Sequence, residues 1–241
     1  MPVEPSPTPW VLPDLSDLPD GQEFVAVGAD LAPSTLLAGY RGGLFAMPEG
    51  DLLGWWSPDP RGVLRPRDVH VSRSLCRSIP RFQVSVDSAF DAVVAACADP
   101  GRAHGWISPE YVASYLDLHA LGWAHSIEVW DDGGGLAGGL FGVELGGLFA
   151  AESKFHVRTD ASKVAVVALS ALLAADGDPR RIIDVQWRTE HLASLGVVEV
   201  SRQAYLRALP EVLGCPPVLG AQPGADTVLA GGSSLIRWRS D

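Results

Sequence analysis

Apolar residues recur along the chain with a period of two in some segments and of about 3.6 in others, and the order of these segments predicts a mixed α/β fold. Pro33, Leu36, Leu37 and Tyr40 share helical spacing, so a short helix is expected over 30–40. Residues 82–86 alternate as a strand should, and Ser88, three residues ahead of Asp91, reads as a capping box for a helix through Cys97. Ser108 as cap, Pro109 at the first turn, and Tyr111, Tyr115, Leu118 and Leu121 on one face predict another helix, closed by Gly122. A β-meander is expected over 126–130, 136–145 and 148–151, with Gly146-Gly147 as a tight turn. A long apolar helix over 160–175, a strand over 181–187, a short helix, a strand over 197–200 and a helix from Arg202 complete the pattern.

Irregular stretches suggest the domain limits. Residues 1–20 are rich in Pro and Asp and read as a lead-in. The tract Gly54-Trp55-Trp56-Ser57-Pro58-Asp59-Pro60-Arg61 reads as a rigid loop because its prolines forbid regular structure. The division expected is a small N-terminal domain over 1–66, an α/β (α+β) domain over 67–214, and a loosely packed Gly/Pro-rich tail over 215–241.

With 241 residues a sizeable core is available. A net charge of -11 and a pI near 4.9 repel nucleic acid on average. Locally this reverses: Arg61, Arg65, Arg67, Arg73, Arg77 and Arg81, joined by His70 and opposed by Asp68, form a basic segment. It is either a solvated face or a track for phosphates. Cys76, Cys97 and Cys215 lack Cys-x-x-Cys spacing, which argues against a disulfide framework or a structural zinc site. With no basic-then-apolar leader and no run of about 18 apolar residues, a cytoplasmic protein is expected.

Gly133, Gly135 and Gly138 satisfy the dinucleotide spacing, but a strand is expected after them where a helix must receive the pyrophosphate. Signals for a serine hydrolase elbow, a P-loop and a His-Glu-x-x-His zinc site are missing. Asp184 and Gln186 alternate with Ile183, Val185 and Trp187, so both are expected on one face of a central strand. Glu152, at the end of the meander, can reach the same face. Pairing with Arg188 or capping a helix is the structural alternative; the functional reading is aminolysis of an activated ester. There Gln186 orients the amine, Asp184 accepts or relays its proton, and Glu152 attracts a cationic acceptor. The element order resembles that of GNAT-like acyltransferases, yet Arg158-Thr159-Asp160-Ala161-Ser162-Lys163 lacks the glycines of a coenzyme A cradle.

At these residues the chain resembles the leucyl/phenylalanyl-tRNA-protein transferase family. The similar stretches are Trp55-Trp56-Ser57-Pro58-Asp59-Pro60-Arg61, His70-Val71-Ser72-Arg73-Ser74, Trp106-Ile107-Ser108-Pro109-Glu110, Ala124-His125-Ser126-Ile127-Glu128-Val129-Trp130, Ala161-Ser162-Lys163, Ile183-Asp184-Val185-Gln186 and His191-Leu192-Ala193-Ser194-Leu195-Gly196. They fall in family order. The resemblance implies transfer of Leu or Phe from charged tRNA to proteins beginning with Arg or Lys, tagging them for degradation. It implies no metal or organic cofactor. No membrane partner is expected, because the long apolar run is missing, and a monomer is expected. Asp184, Gln186 and Glu152 would be catalytic, Trp106 would stack on the terminal adenosine, and Arg61, Arg65, Arg67, Arg73 and Arg77 would meet tRNA phosphates.

Several positions depart from the family. Phe45-Ala46-Met47 stands for Phe-Pro-Trp, and Gly28-Ala29-Asp30 for Gly-Gly-Asp. Lys154 replaces a methionine of the donor pocket, whose other positions match Leu140, Phe149, Leu169 and Ile183. Lys154 either swings out or pairs with Glu152 or Asp184, leaving the donor unchanged, or it meets a polar or acidic donor side chain. The rival readings are a coenzyme A-dependent N-acetyltransferase and a non-catalytic protein that binds tRNA or protein N-termini.

Overall fold

The computed structural model describes residues 1–102 and 105–219, so the expected tail lies outside the described residues from 220 onward. A small antiparallel sheet is built from β1 (Phe24–Val27), β2 (Phe45–Glu49) and β3 (Leu52–Trp56), in the order β1-β3-β2. Helix α1 (Pro33–Arg41) joins the first two and buries Leu36, Leu37 and Tyr40, the face read from their spacing. It lies so close to β3 that a Cβ at Gly39 would come within 2.5 Å of the Trp55 ring. The Trp55-Trp56 tract is therefore strand rather than loop. The irregular part shrinks to 57–60, because the ladder is lost only where the prolines begin.

Next, β4 (Arg61–Leu64) enters a second sheet with β5 (Gln83–Val86), β6 (Ala124–Trp130), β7 (Leu136–Leu145), β8 (Leu148–His156), β9 (Ile182–Gln186) and β10 (Val198–Val200). The order is β10-β4-β9-β8-β7-β6-β5. The seam between the sheets thus falls before Arg61, earlier than the boundary expected at 66. Among the described residues β8 and β9 form the one parallel pair. Helix α5 (Ala161–Leu173) makes the crossover that a parallel pair requires. Its Ala, Val and Leu residues are buried almost all round, as in a helix within a core.

Strand alternation divides the core in two. Leu148 and Ala150 face α3 (Phe90–Cys97), α4 (Pro109–Ala120) and α7 (Arg202–Leu213), together with Phe141, Val143 and Tyr205. Phe149 faces α5 with Leu140 and Ile183. Helices α2 (Arg73–Ser78) and α6 (Glu190–Ala193) are capped by the hydroxyls of Ser72 and Thr189.

Three local expectations fail for reasons of hydrogen bonding. The cap of α3 is Ala89, and no side chain caps that helix; the Ser88 hydroxyl donates to the Val86 carbonyl instead. Ser108 occupies the cap position of α4, but its hydroxyl binds Glu110. Residues 215–219 are not loose: Cys215 and Leu219 are buried, and the amides of Val218 and Leu219 donate to the buried Glu144 carboxylate at 2.7 and 3.0 Å. That carboxylate needs donors, and this segment supplies them. The Gly133 and Gly135 amides both donate to Asp131 Oδ1 in the turn from β6 to β7, so these glycines shape a hairpin. Among the described residues no helix is long and apolar enough to cross a membrane.

Candidate active site

Two bulges in neighbouring strands create the site. In β8, Phe141 pairs with Ser153 and Gly142 with Ala151, so Glu152 is an extra residue in the ladder. The bulge turns its carboxylate to accept from Tyr40 Oη at 2.9 Å and Tyr115 Oη at 2.5 Å. In β9, Val63 pairs with Asp184 and Gly62 with Gln186, leaving Val185 unpaired. Gln186 itself has φ 58°, the left-handed region that a residue with a Cβ enters at a cost of about 1–2 kcal/mol.

This backbone changes the expected orientation of the pair. Gln186 does not share a face with Asp184; it lines a cavity with Ile183 and Val185, while Asp184 turns to the opposite side. Alternation holds only where the strand is regular, and the bulge ends it at Val185. The Gln186 amide is assigned so that Nε2 donates to the carbonyls of Ala151 and Val185 at 3.0 and 3.1 Å.

Asp184 is saturated. Arg61 Nε and Nη2 donate to its two oxygens at 2.9 and 2.6 Å, Tyr205 Oη at 2.9 Å, and the Gln186 backbone N–H at 2.9 Å. Both members of the ion pair are 1% exposed. Arg61 also donates to the Gly43 carbonyl and lies over the rings of Phe45 and Tyr205. The expectation that Arg61 binds tRNA is thereby corrected: a buried guanidinium committed to Asp184 and the Gly43 carbonyl is closed off from solvent and from any phosphate there. Arg65, Arg67, Arg73 and Arg77 are exposed. Asp184, with every acceptor direction occupied, holds the Gln186 backbone in place rather than standing open as a base. The alternative pairing with Arg188 is not formed.

Glu152 has a different environment. Burial pushes its carboxyl from 4.5 up to about 7, against the two phenolic bonds that favour the charged form; nearby Asp184 adds to the rise and Arg61 opposes it. A carboxyl poised near neutrality in a cavity wall is suited to proton transfer. Burial, and then the Glu152 charge, push Tyr40 and Tyr115 well above the usual phenol range, so both remain donors.

The cavity measures about 100 Å³ and its apolar wall is formed by Leu140, Val166, Leu169, Ile183, Val185 and Leu192. Glu152, Gln186 and Lys154 border it. Of the residues expected to bind substrate, Leu140, Lys154, Leu169 and Ile183 are therefore brought together. Phe149 is corrected: it is wholly buried in the core and not on the cavity wall. Met47 sits in the small sheet opposite Gly54 and lies off the wall of this cavity. Trp106 packs edge-on against Tyr111, with centroids 5.2 Å apart. The Tyr111 phenol in turn is raised by burial and by the Glu152 charge.

Sequence spacing did not single out Tyr40, Tyr115 or Tyr205 as site residues. The signal was available, since a phenol on the buried face of a helix needs a polar partner. Trp187, next to Gln186, is a further neighbour of the site that spacing leaves unmarked; it packs against Phe45 and Trp56 and donates to Glu23 at 3.0 Å.

The family profile described as leucyl/phenylalanyl-tRNA protein transferase matches residues 63–210, and that of its N-terminal domain matches 29–59. A leucyl/phenylalanyl-tRNA–protein transferase of Oleidesulfovibrio alaskensis is 45% identical over 222 residues, covering 86% of this chain and 89% of the relative. One of Anaeromyxobacter sp. is 48% identical over 214 residues, covering 86% and 88%. Matched over most of its length in both sequence and domain order, the chain belongs to the leucyl/phenylalanyl-tRNA-protein transferase family.

Proposed function

We propose that this protein transfers Leu or Phe from charged tRNA to the N-terminal amine of proteins beginning with Arg or Lys. The observation that carries the reading is the apolar cavity bordered by two displaced polar residues, Glu152 on its bulge and Gln186 in the left-handed conformation. The cavity takes the donor side chain. Its aliphatic wall suits Leu or Phe, and Lys154 borders the larger neighbouring cavity as well as this one. The amine nitrogen attacks the ester carbonyl carbon, the bond to the ribose oxygen breaks, and that oxygen takes up a proton. Gln186 orients the amine through its side-chain carbonyl, Glu152 accepts the amine proton, and Asp184 with Arg61 keeps Gln186 in place. An ester donor is already activated, so the residues need only position the amine and move its proton.

Trp106 as a platform for the terminal adenosine, Met47 as a further substrate contact, and the exposed Arg65, Arg67, Arg73 and Arg77 as phosphate contacts belong to the same reading. So do a cytoplasmic monomer, a GNAT-like transferase unit following a small N-terminal unit, and a role in tagging proteins for degradation. The β6–β7–β8 meander followed by α5 and the parallel strand β9 supports the GNAT-like comparison. The test is a transfer assay with purified protein, a pool of charged tRNAs and peptides beginning with Arg, Lys, Asp or Ala, read by mass spectrometry. Leu or Phe on the Arg and Lys peptides is expected; no addition to any peptide would overturn the proposal.

A further inference from the structure

A second cavity, of about 560 Å³, adjoins the first and shares Lys154 as part of its wall. Arg102, His156 and His191 also line it, with Asp99 as its acidic member and the hydroxyls of Ser162 and Thr189. The basic groups are poorly compensated. Among the described residues neither Lys154 nor Arg102 has a carboxylate within ion-pairing distance. The Arg102 guanidinium instead donates to the carbonyls of Cys97 and Lys154, which holds it beside the Lys154 backbone. The Asp99 carboxylate accepts from the Gly101 amide at 2.8 Å. Burial, and then the Arg102 charge, lower the Lys154 ammonium pKa; burial, and then the Lys154 charge, lower that of His191. Cations held together with no carboxylate at ion-pairing distance are unfavourable, and an anion entering the cavity offsets that cost.

The position of the cavity selects the anion. Lys154 separates it from the donor cavity by one side chain, so its ligand is part of, or adjacent to, the group that carries the aminoacyl ester. A cationic acceptor is repelled there, whereas the single-stranded 3′ end of a charged tRNA brings phosphodiesters. We propose that the cavity bounded by Lys154, Arg102 and His191 is a subsite for a phosphodiester of the 3′ end of the donor tRNA, with Lys154 as its principal contact. The inference rests on the transferase reading above. It also gives the replacement at Lys154 a function: its stem closes the donor cavity while its ammonium serves the neighbouring one.

The experiment compares three donors: 3′-leucyl-adenosine, the same compound with a 5′-phosphate, and a leucyl trinucleotide ending in CCA. In the wild-type protein KM is expected to fall at least severalfold once a donor carries phosphate. In Lys154→Met that ratio collapses toward one, and in Lys154→Arg it is retained. For the trinucleotide, the slope of log(1/KM) against log[salt] becomes shallower by about 0.7 in Lys154→Met, the value for one phosphate of a single strand left without its cation. Equal ratios and equal slopes in wild type and Lys154→Met would overturn the subsite while leaving the transferase reading intact. Absence of transfer from all three donors and from charged tRNA would remove both. Thermal unfolding of each variant separates weaker phosphate binding from a failure to fold.

Discussion

The Arg61 guanidinium meets the Asp184 carboxylate through two hydrogen bonds, of 2.9 and 2.6 Å, across 123 residues of sequence, with both groups removed from solvent. This pair joins β4, the first strand after the small sheet, to the strand that carries Gln186. Asp184 completes the link by accepting the Gln186 backbone N–H at 2.9 Å. The basic residue nearest the Trp-Trp tract thus serves the geometry of the strand that carries Gln186.

Arg61→Ala is expected to destabilise the protein by about 3–5 kcal/mol, because it leaves the Asp184 charge buried without its partner. Chemical denaturation checks this. A variant of unchanged stability but weaker tRNA binding would restore Arg61 to the phosphate track.

Glu152→Gln tests the proton acceptor. In the wild type, transfer rises with pH as Glu152 ionises near 7; in the variant that inflection disappears from the kcat/KM profile. Linkage gives an independent readout. The folded pKa lies above the ordinary 4.5, so the folded state holds the extra proton between 4.5 and about 7 and stability falls as pH rises through that window. Glu152→Gln flattens the fall, which unfolding measurements at several pH values detect.

At Gln186 stability and activity should separate. Gln186→Gly relieves a φ of 58° but leaves the Ala151 and Val185 carbonyls without their side-chain donor, so the two effects offset and unfolding free energy is expected to change by no more than about 1 kcal/mol. Transfer falls by about tenfold or more as the positioning amide is removed. A glycine variant with full activity would exclude an orienting role for the side chain.

Val166→Leu narrows the donor cavity without adding charge. The kcat/KM ratio for leucyl over phenylalanyl donors is expected to rise by about tenfold, the effect of roughly one methylene in an apolar pocket. An unchanged ratio would place the donor side chain elsewhere.

Replacing exposed Arg73 and Arg77 by Gln should weaken tRNA binding at low salt and leave stability within about 0.5 kcal/mol. The log–log salt slope should become shallower by about 0.9 for each duplex phosphate that is no longer neutralised. Filter binding over a salt series measures it.

Most of the elements were legible in the sequence because they depend on local periodicity. The β6–β7–β8 meander, the apolar α5 and the Pro33 and Pro109 helix starts all follow from spacing and from proline's fixed φ. The candidates Glu152, Asp184 and Gln186 were also legible, since a polar residue in an apolar strand stands out against its neighbours. Their division of labour was not. It depends on two bulges and one left-handed residue, which reverse the alternation that sequence spacing assumes. Partners drawn from distant segments decide the rest: Tyr40 and Tyr115 for Glu152, Arg61 and Tyr205 for Asp184. Hydrophobic pattern is a one-dimensional property and specifies which face is buried. Which buried polar groups meet, and therefore which is neutralised and which left to titrate, is settled only when the packed sheet brings their strands and helices together.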